Sequence, residues 1–189
     1  MYWPGACSEN PEGRRPLNIV KVVKMLVVED SASDVRLLRE ALRDSSVNVL
    51  IQWASDLNDA WTHLDQCRQE GGPYPDLIIL DLNLPGANGR ELLQQIKSDP
   101  ELRKLPVIIM TSSADEDDIE AAYRLNANCF VRKPRDLYEY ERVVHGLEEF
   151  WFGTVTLPRE SYRIPGNAAE HSRSRNTSAR ARVAPEFRS

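Results

Sequence analysis

The sequence predicts an α/β fold in which a five-stranded parallel sheet carries helices on both faces. Between Lys24 and Trp151, short β-branched apolar runs alternate five times with amphipathic stretches, the pattern of repeated βα units. One run, Asp76 to Leu80, is almost wholly apolar, as a central strand covered on both faces requires. Four runs stop at polar clusters: Glu29-Asp30, Asp81, Thr111-Ser112 and Lys133-Pro134. Parallel strands deliver such clusters to one edge, the carboxyl edge, where open α/β sheets hold their ligands.

The first strand spans Lys24 to Val28, and the following helix places Val35, Leu38, Ala41 and Leu42 on one face, with Ser33 or Asp34 as N-cap. A second strand runs from Val47 to Ala54. Asp56 caps a helix bearing Leu57, Ala60, Trp61, Leu64 and Cys67, which stops before Gly71-Gly72-Pro73. After the third strand, Pro85, Gly86 and Gly89 break the chain ahead of a helix from Arg90 to about Lys97. The fourth strand is Pro106 to Met110, followed by a helix from about Asp115 to Leu125. Asn126 stands where a left-handed C-cap suits Gly or Asn. Asn128 to Arg132 forms the fifth strand, and a last helix runs from about Asp136 to Phe152 with Leu137, Tyr140, Val144, Leu147 and Trp151 inward.

A chain of 189 residues holds one domain with flanking segments. Residues 1–20 read as a flexible arm, within which the start is open because Met25 rivals Met1. Residues 21–158 form the folded domain, and 159–189 an Arg-rich tail with nothing to bury. That tail carries seven Arg against three Glu, a charge of +4, so the rest of the chain holds −9 of the −5 total. An acidic body argues against general nucleic-acid binding and suits a protein that holds a cation or docks on a basic partner. Cys7, Cys67 and Cys129, odd in number and widely spaced, read as reduced thiols of a cytoplasmic protein. No apolar run reaches the roughly 18 residues of a membrane span.

At the carboxyl edge three carboxylates, a hydroxyl and an ammonium meet, a set that gathers a divalent cation and a dianionic, oxygen-rich group beside it. The order Glu29-Asp30, Asp81, Thr111, Lys133-Pro134 on five βα units resembles the receiver domain of two-component response regulators, over about Lys24 to Trp151. The resemblance implies a flavodoxin-like, three-layer αβα fold of strand order 2-1-3-4-5, and a phosphoryl group accepted on Asp81 from a phosphohistidine. It further implies that Thr111 and Lys133 bind phosphoryl oxygens, that Thr111 and Phe130 switch together, and that the peptide before Pro134 is cis. Mg²⁺ or Mn²⁺ would neutralise the mutual repulsion of donor and acceptor. Asp30 and Asp81 would ligate it directly, Asn83 through its backbone carbonyl and Glu29 through water.

The run Gly146-Leu147-Glu148-Glu149-Phe150-Trp151 followed by Val155-Thr156-Leu157-Pro158 resembles the small receivers that partner phytochrome-type histidine kinases, as do the Gly71 to Tyr74 insertion and Asp81-Leu82-Asn83-Leu84-Pro85. This implies a bacteriophytochrome sensor kinase as phosphodonor and a homodimer, with switching of the surface made by the fourth helix, fifth strand and fifth helix. With only about 30 polar residues after the domain, a stand-alone receiver that signals to an unidentified effector protein is expected. Three alternatives stay open: a Mg-dependent phosphohydrolase, disfavoured because Asn83 stands where a second acid is wanted; an inactive receiver-like binding module; and a nucleic-acid adaptor using the Arg-rich tail.

Overall fold

The computed structural model describes residues 22–157, so the expected arm and Arg-rich tail lie outside the described residues, as does Cys7. The chain runs β1 (Val22–Val28), α1 (Ala32–Ala41), β2 (Asn48–Ala54), α2 (Leu57–Gln69), β3 (Leu77–Leu80), β4 (Asn83–Leu84), β5 (Ala87–Asn88), α3 (Gly89–Ser98), β6 (Val107–Thr111), α4 (Glu116–Arg124), β7 (Cys129–Arg132) and α5 (Leu137–Leu147), closing with a π-helical turn at Glu148–Thr154. The main sheet is parallel in the order β2-β1-β3-β6-β7, which is the expected 2-1-3-4-5 of its five strands.

Period-two alternation sorts the strand residues between two cores. Leu26, Val28, Ile78, Leu80, Val107 and Ile109 pack with Ala60, Leu64, Leu92, Ile96 and Ala122 of α2, α3 and α4. Met25, Val27, Leu77, Ile79, Ile108 and Met110 pack with Val35, Leu38, Tyr140 and Val144 of α1 and α5. Each Val, Leu, Ile and Met among them contributes about 1.5–3 kcal/mol on leaving water, and together they pin the strands between the two helix layers.

Local chemistry sets the helix boundaries. Asp56, Asn88, Asp115 and Asp136 accept backbone N–H bonds at the starts of α2, α3, α4 and α5. Asn126 does adopt a left-handed φ of 64°. Four expectations need correction. Ser31, rather than Ser33 or Asp34, caps α1, its hydroxyl accepting from the Asp34 N–H. The segment between β3 and α3 is a two-residue hairpin turning at Gly86, whose φ is 70°; strands that short carry no periodic signal. The last helix does not continue to Phe152 as an α-helix, since the π turn, closed by Val155 N–H to the Phe150 carbonyl, buries Trp151 and Phe152 together. Finally, the peptide before Pro134 is trans, as no peptide among the described residues is cis; trans is the ordinary preference of X-Pro bonds, and Lys133 reaches the site from it.

Among the described residues no helix is long and apolar enough to cross a membrane. Cys67 and Cys129 are free thiols.

Candidate functional site

The ladder continues one residue beyond three of the strands, β1, β3 and β7, at the carboxyl edge. Glu29 donates its N–H to the Ala54 carbonyl at 3.0 Å, Asp81 to Val28 at 3.0 Å, and Lys133 to Thr111 at 2.7 Å. Three site residues therefore have backbones fixed by the neighbouring strand, even though their side chains belong to loops. Trp53 adds a fourth restraint, its indole N–H donating to the Glu29 carbonyl at 2.6 Å.

Gly89 brings the start of α3 against Asp81. A Cβ at that position would sit 2.2 Å from the Asp81 carbonyl oxygen and 2.9 Å from Leu82 Cα, both backbone atoms that cannot yield. The Gly89 N–H instead donates to the Leu82 carbonyl at 3.0 Å. A residue without a side chain is thus required for the hairpin to fold back onto the loop after β3.

The side chains converge as expected from their strand-end positions. Asp81 is 3% exposed and Thr111 fully buried, with Glu29 also buried. Asp81 Oδ1 accepts from the Asn83 N–H at 3.0 Å and Oδ2 from Lys133 Nζ at 2.7 Å. Lys133 also reaches Glu29 Oε2 at 2.8 Å, and Glu29 Oε1 accepts from the Ser31 N–H at 2.9 Å. Thr111 Oγ1 accepts from the Asn83 side-chain amide at 3.2 Å, which leaves its own proton available to a ligand. Phe130 pairs with Ile109, two residues before Thr111 on β6. Thr111 and Phe130 therefore face the same side of the sheet, the side packed by α2, α3 and α4, where Phe130 is half-buried.

Two participants carried no site signal in the sequence. Asp34, read as a helix cap, places Oδ2 2.9 Å from Lys133 Nζ. Trp53, inside the second strand, orients the Glu29 backbone. Neither contact is visible locally, because each joins elements distant in sequence.

Electrostatically the site holds an excess of negative charge: Glu29, Asp30, Asp34 and Asp81 against Lys133 alone. Burial pushes the Glu29 carboxyl above its ordinary value, although Lys133 and the Ser31 N–H oppose this. Burial works against the Lys133 ammonium, yet Asp81, Glu29 and Asp34 hold its pKa well above the usual lysine value. The phenol of Tyr140, buried beneath the cluster, is pushed up first by burial and then by the charge of Asp34. One carboxylate oxygen from each of Glu29, Asp30 and Asp81 lies within 4.8 Å of the others. An all-oxygen donor set of that span fits a hard divalent cation such as Mg²⁺ or Mn²⁺.

The family model described as response regulator receiver domain matches residues 25–145. The chain is 44% identical over 135 residues to response regulator Rcp1 of Synechocystis, covering 71% of this chain and 92% of that protein. In structure it is similar to the phosphorylated cyanobacterial phytochrome response regulator RcpA, with a TM-score of 0.67, 43% identity, and coverage of 72% of this chain and 98% of that one. The bacteriophytochrome response regulator AtBRR aligns with a TM-score of 0.56 and 32% identity, over 69% of this chain and 96% of its own.

Proposed function

The chain belongs to the response regulator receiver family of two-component signalling, and from that premise we propose that Asp81 accepts its phosphoryl group from the phosphohistidine of a phytochrome-type sensor kinase. The observation that carries the assignment is the convergence on Asp81: Lys133 Nζ lies 2.7 Å from Oδ2, and the oxygens of Glu29 and Asp30 lie close enough to share a cation with it. The similarity to RcpA, a cyanobacterial phytochrome response regulator, supports the kinase class.

A carboxylate attacks a phosphoryl group poorly while donor, acceptor and transferring oxygens are all negative. Glu29, Asp30 and Asp81 would hold Mg²⁺ or Mn²⁺, with Glu29 acting through water and the Asn83 carbonyl as a further ligand; the cation supplies charge neutralisation when bound. Lys133 offers a compact positive charge to one phosphoryl oxygen and Thr111 a hydroxyl to another. Catalysis is positioning plus electrostatics. Asn83, whose amide is engaged by Thr111, supplies no proton to a leaving group, so turnover of phosphate esters is not expected and only slow loss of the acyl phosphate is.

The Thr111 proton, left free while its oxygen accepts from the Asn83 amide, is donated to the phosphoryl group as Thr111 shifts toward it, and Phe130, on the same side of the sheet, moves with it. The Thr111 hydroxyl also accepts from the Ser113 N–H at 3.4 Å, and the Ser113 hydroxyl donates to Asp118 in the first turn of α4, which pairs in turn with Arg90. That chain couples the site to α4 and to the surface of α4, β7 and α5, where Tyr123 of α4 and Tyr138 of α5 are exposed. This surface signals to an effector protein and supports a homodimer. The receiver unit extends over 21–158.

The test is phosphoryl transfer from a radiolabelled, autophosphorylated bacteriophytochrome kinase in Mg²⁺. Wild type is expected to take up label within seconds to minutes and Asp81→Asn to take up none. Labelling by acetyl phosphate but not by this kinase would remove the light-sensing partner and keep the acceptor; label on Asp81→Asn would remove Asp81.

A further inference from the structure

Lys133 has three N–H donors and no acceptor, and each donor has a carboxylate: Asp81 at 2.7 Å, Glu29 at 2.8 Å and Asp34 at 2.9 Å. Two of the three, Asp81 and Glu29, also belong to the oxygen cluster that suits a divalent cation. Ammonium and cation therefore draw on the same carboxylates and repel each other there. Asp34 lies outside that cluster. It sits in the first turn of α1, with its backbone N–H bonded to the Ser31 hydroxyl at 3.3 Å, on a helix rather than at one of the strand ends that carry Asp81 and Glu29.

We infer that Asp34 is a positioning residue that receives the Lys133 ammonium when Asp81 and Glu29 turn to a divalent cation. This rests on the reading of Glu29, Asp30 and Asp81 as cation ligands. Without Asp34 the ammonium has only the two contested carboxylates to rest on, and it competes with the cation for both. With Asp34, the ammonium keeps one full ionic partner and stays within reach of a phosphoryl group on Asp81. The plainer role, an acidic residue that favours the positive end of α1 and adds general negative charge, predicts no dependence on Lys133.

The experiment is Mn²⁺ binding, read from the free Mn²⁺ signal in electron paramagnetic resonance, on the full chain without any phosphodonor. Asp34→Asn is expected to weaken Mn²⁺ by roughly five- to tenfold, the scale of a partly buried ion-pair coupling. Lys133→Met is expected to tighten it, and in that background Asp34→Asn should change affinity by less than about twofold. Asp34→Glu should recover part of the loss, and circular dichroism checks that each variant folds. An equal Asp34→Asn effect with and without Lys133 would reduce Asp34 to general charge and overturn the hand-off, as would no effect at all. If Asp81→Asn binds Mn²⁺ as tightly as wild type, the cation site itself falls, and the hand-off with it for that separate reason.

Discussion

At the carboxyl edge of the sheet Lys133 faces Glu29, Asp34 and Asp81; at the opposite edge Arg68 faces Asp65, Asp99 and Glu101, while the Tyr74 hydroxyl donates to Glu101 at 2.9 Å. Both are one cation among three acids, yet their settings differ. Arg68 is 40% exposed, water screens its acids from one another, and its planar fork joins the end of α2 to the loop after α3. Lys133, Glu29 and Asp81 are largely withdrawn from water, and Asp30 adds a fourth acid at their exposed rim. Like charges held together in a low-dielectric setting are costly unless something binds them. The comparison teaches that a surplus of charge, combined with burial, distinguishes a binding site from a clasp made of the same residue types.

Replacing one acid in each cluster gives the sharpest contrast. Asp81→Asn should abolish phosphoryl acceptance while raising the unfolding free energy by about 1 kcal/mol, because one repelling charge leaves and Lys133 keeps two partners. Asp99→Asn should leave acceptance unchanged and lower the melting temperature. A destabilised Asp81→Asn, measured by urea unfolding, would break the claim that the upper cluster is strained.

After that loss of acceptance comes the largest effect on stability, from Gly89→Ala, which forces the start of α3 away from the Asp81 backbone. A loss of about 2–4 kcal/mol in unfolding free energy is expected, together with slower labelling by acetyl phosphate. An unchanged stability would mean that the hairpin can move aside freely.

The smallest effect is a pH dependence at the lower edge. Lys97 donates to the Leu105 carbonyl at 2.7 Å and to Asn128 Oδ1 at 2.9 Å, and burial lowers its pKa from 10.5 to about 8. The unfolded chain therefore binds more protons than the folded one between these values, so stability rises with pH across that window. The gain from pH 7.5 to 9.5 should be on the order of 1 kcal/mol in wild type and absent in Lys97→Gln. Equal slopes in both proteins would show that Lys97 carries its charge at no cost.

The main sheet and most of the site were legible because strand ends leave a sequential trace: an apolar run, then Asp81, Thr111 or Lys133. Asn126 and Asp56 were legible too, since caps and left-handed turns depend on one residue's own chemistry. Asp34 was not, because its meaning lies in an ammonium on the far side of the chain, while its local context offered a complete explanation as a cap. Trp53 escaped for the same reason, as its burial hides the direction of the indole N–H. The π turn at Glu148–Thr154 is invisible in composition, for the same apolar spacing fits an α-helix until Trp151 and Phe152 must both turn inward.

The ladder bonds that extend past the strands have a consequence for deuterium exchange. The amides of Glu29, Asp81 and Lys133, each bonded to a neighbouring strand, should retain their protons nearly as long as the core of the sheet, exchanging only when the whole domain opens. The Ser113 amide, held by Thr111 Oγ1 at 3.4 Å, should exchange far sooner. A phosphorylation signal would then be written in the fast amides around Thr111 against a slow background, and a map of exchange rates would separate the frame that holds the phosphoryl group from the parts that report it.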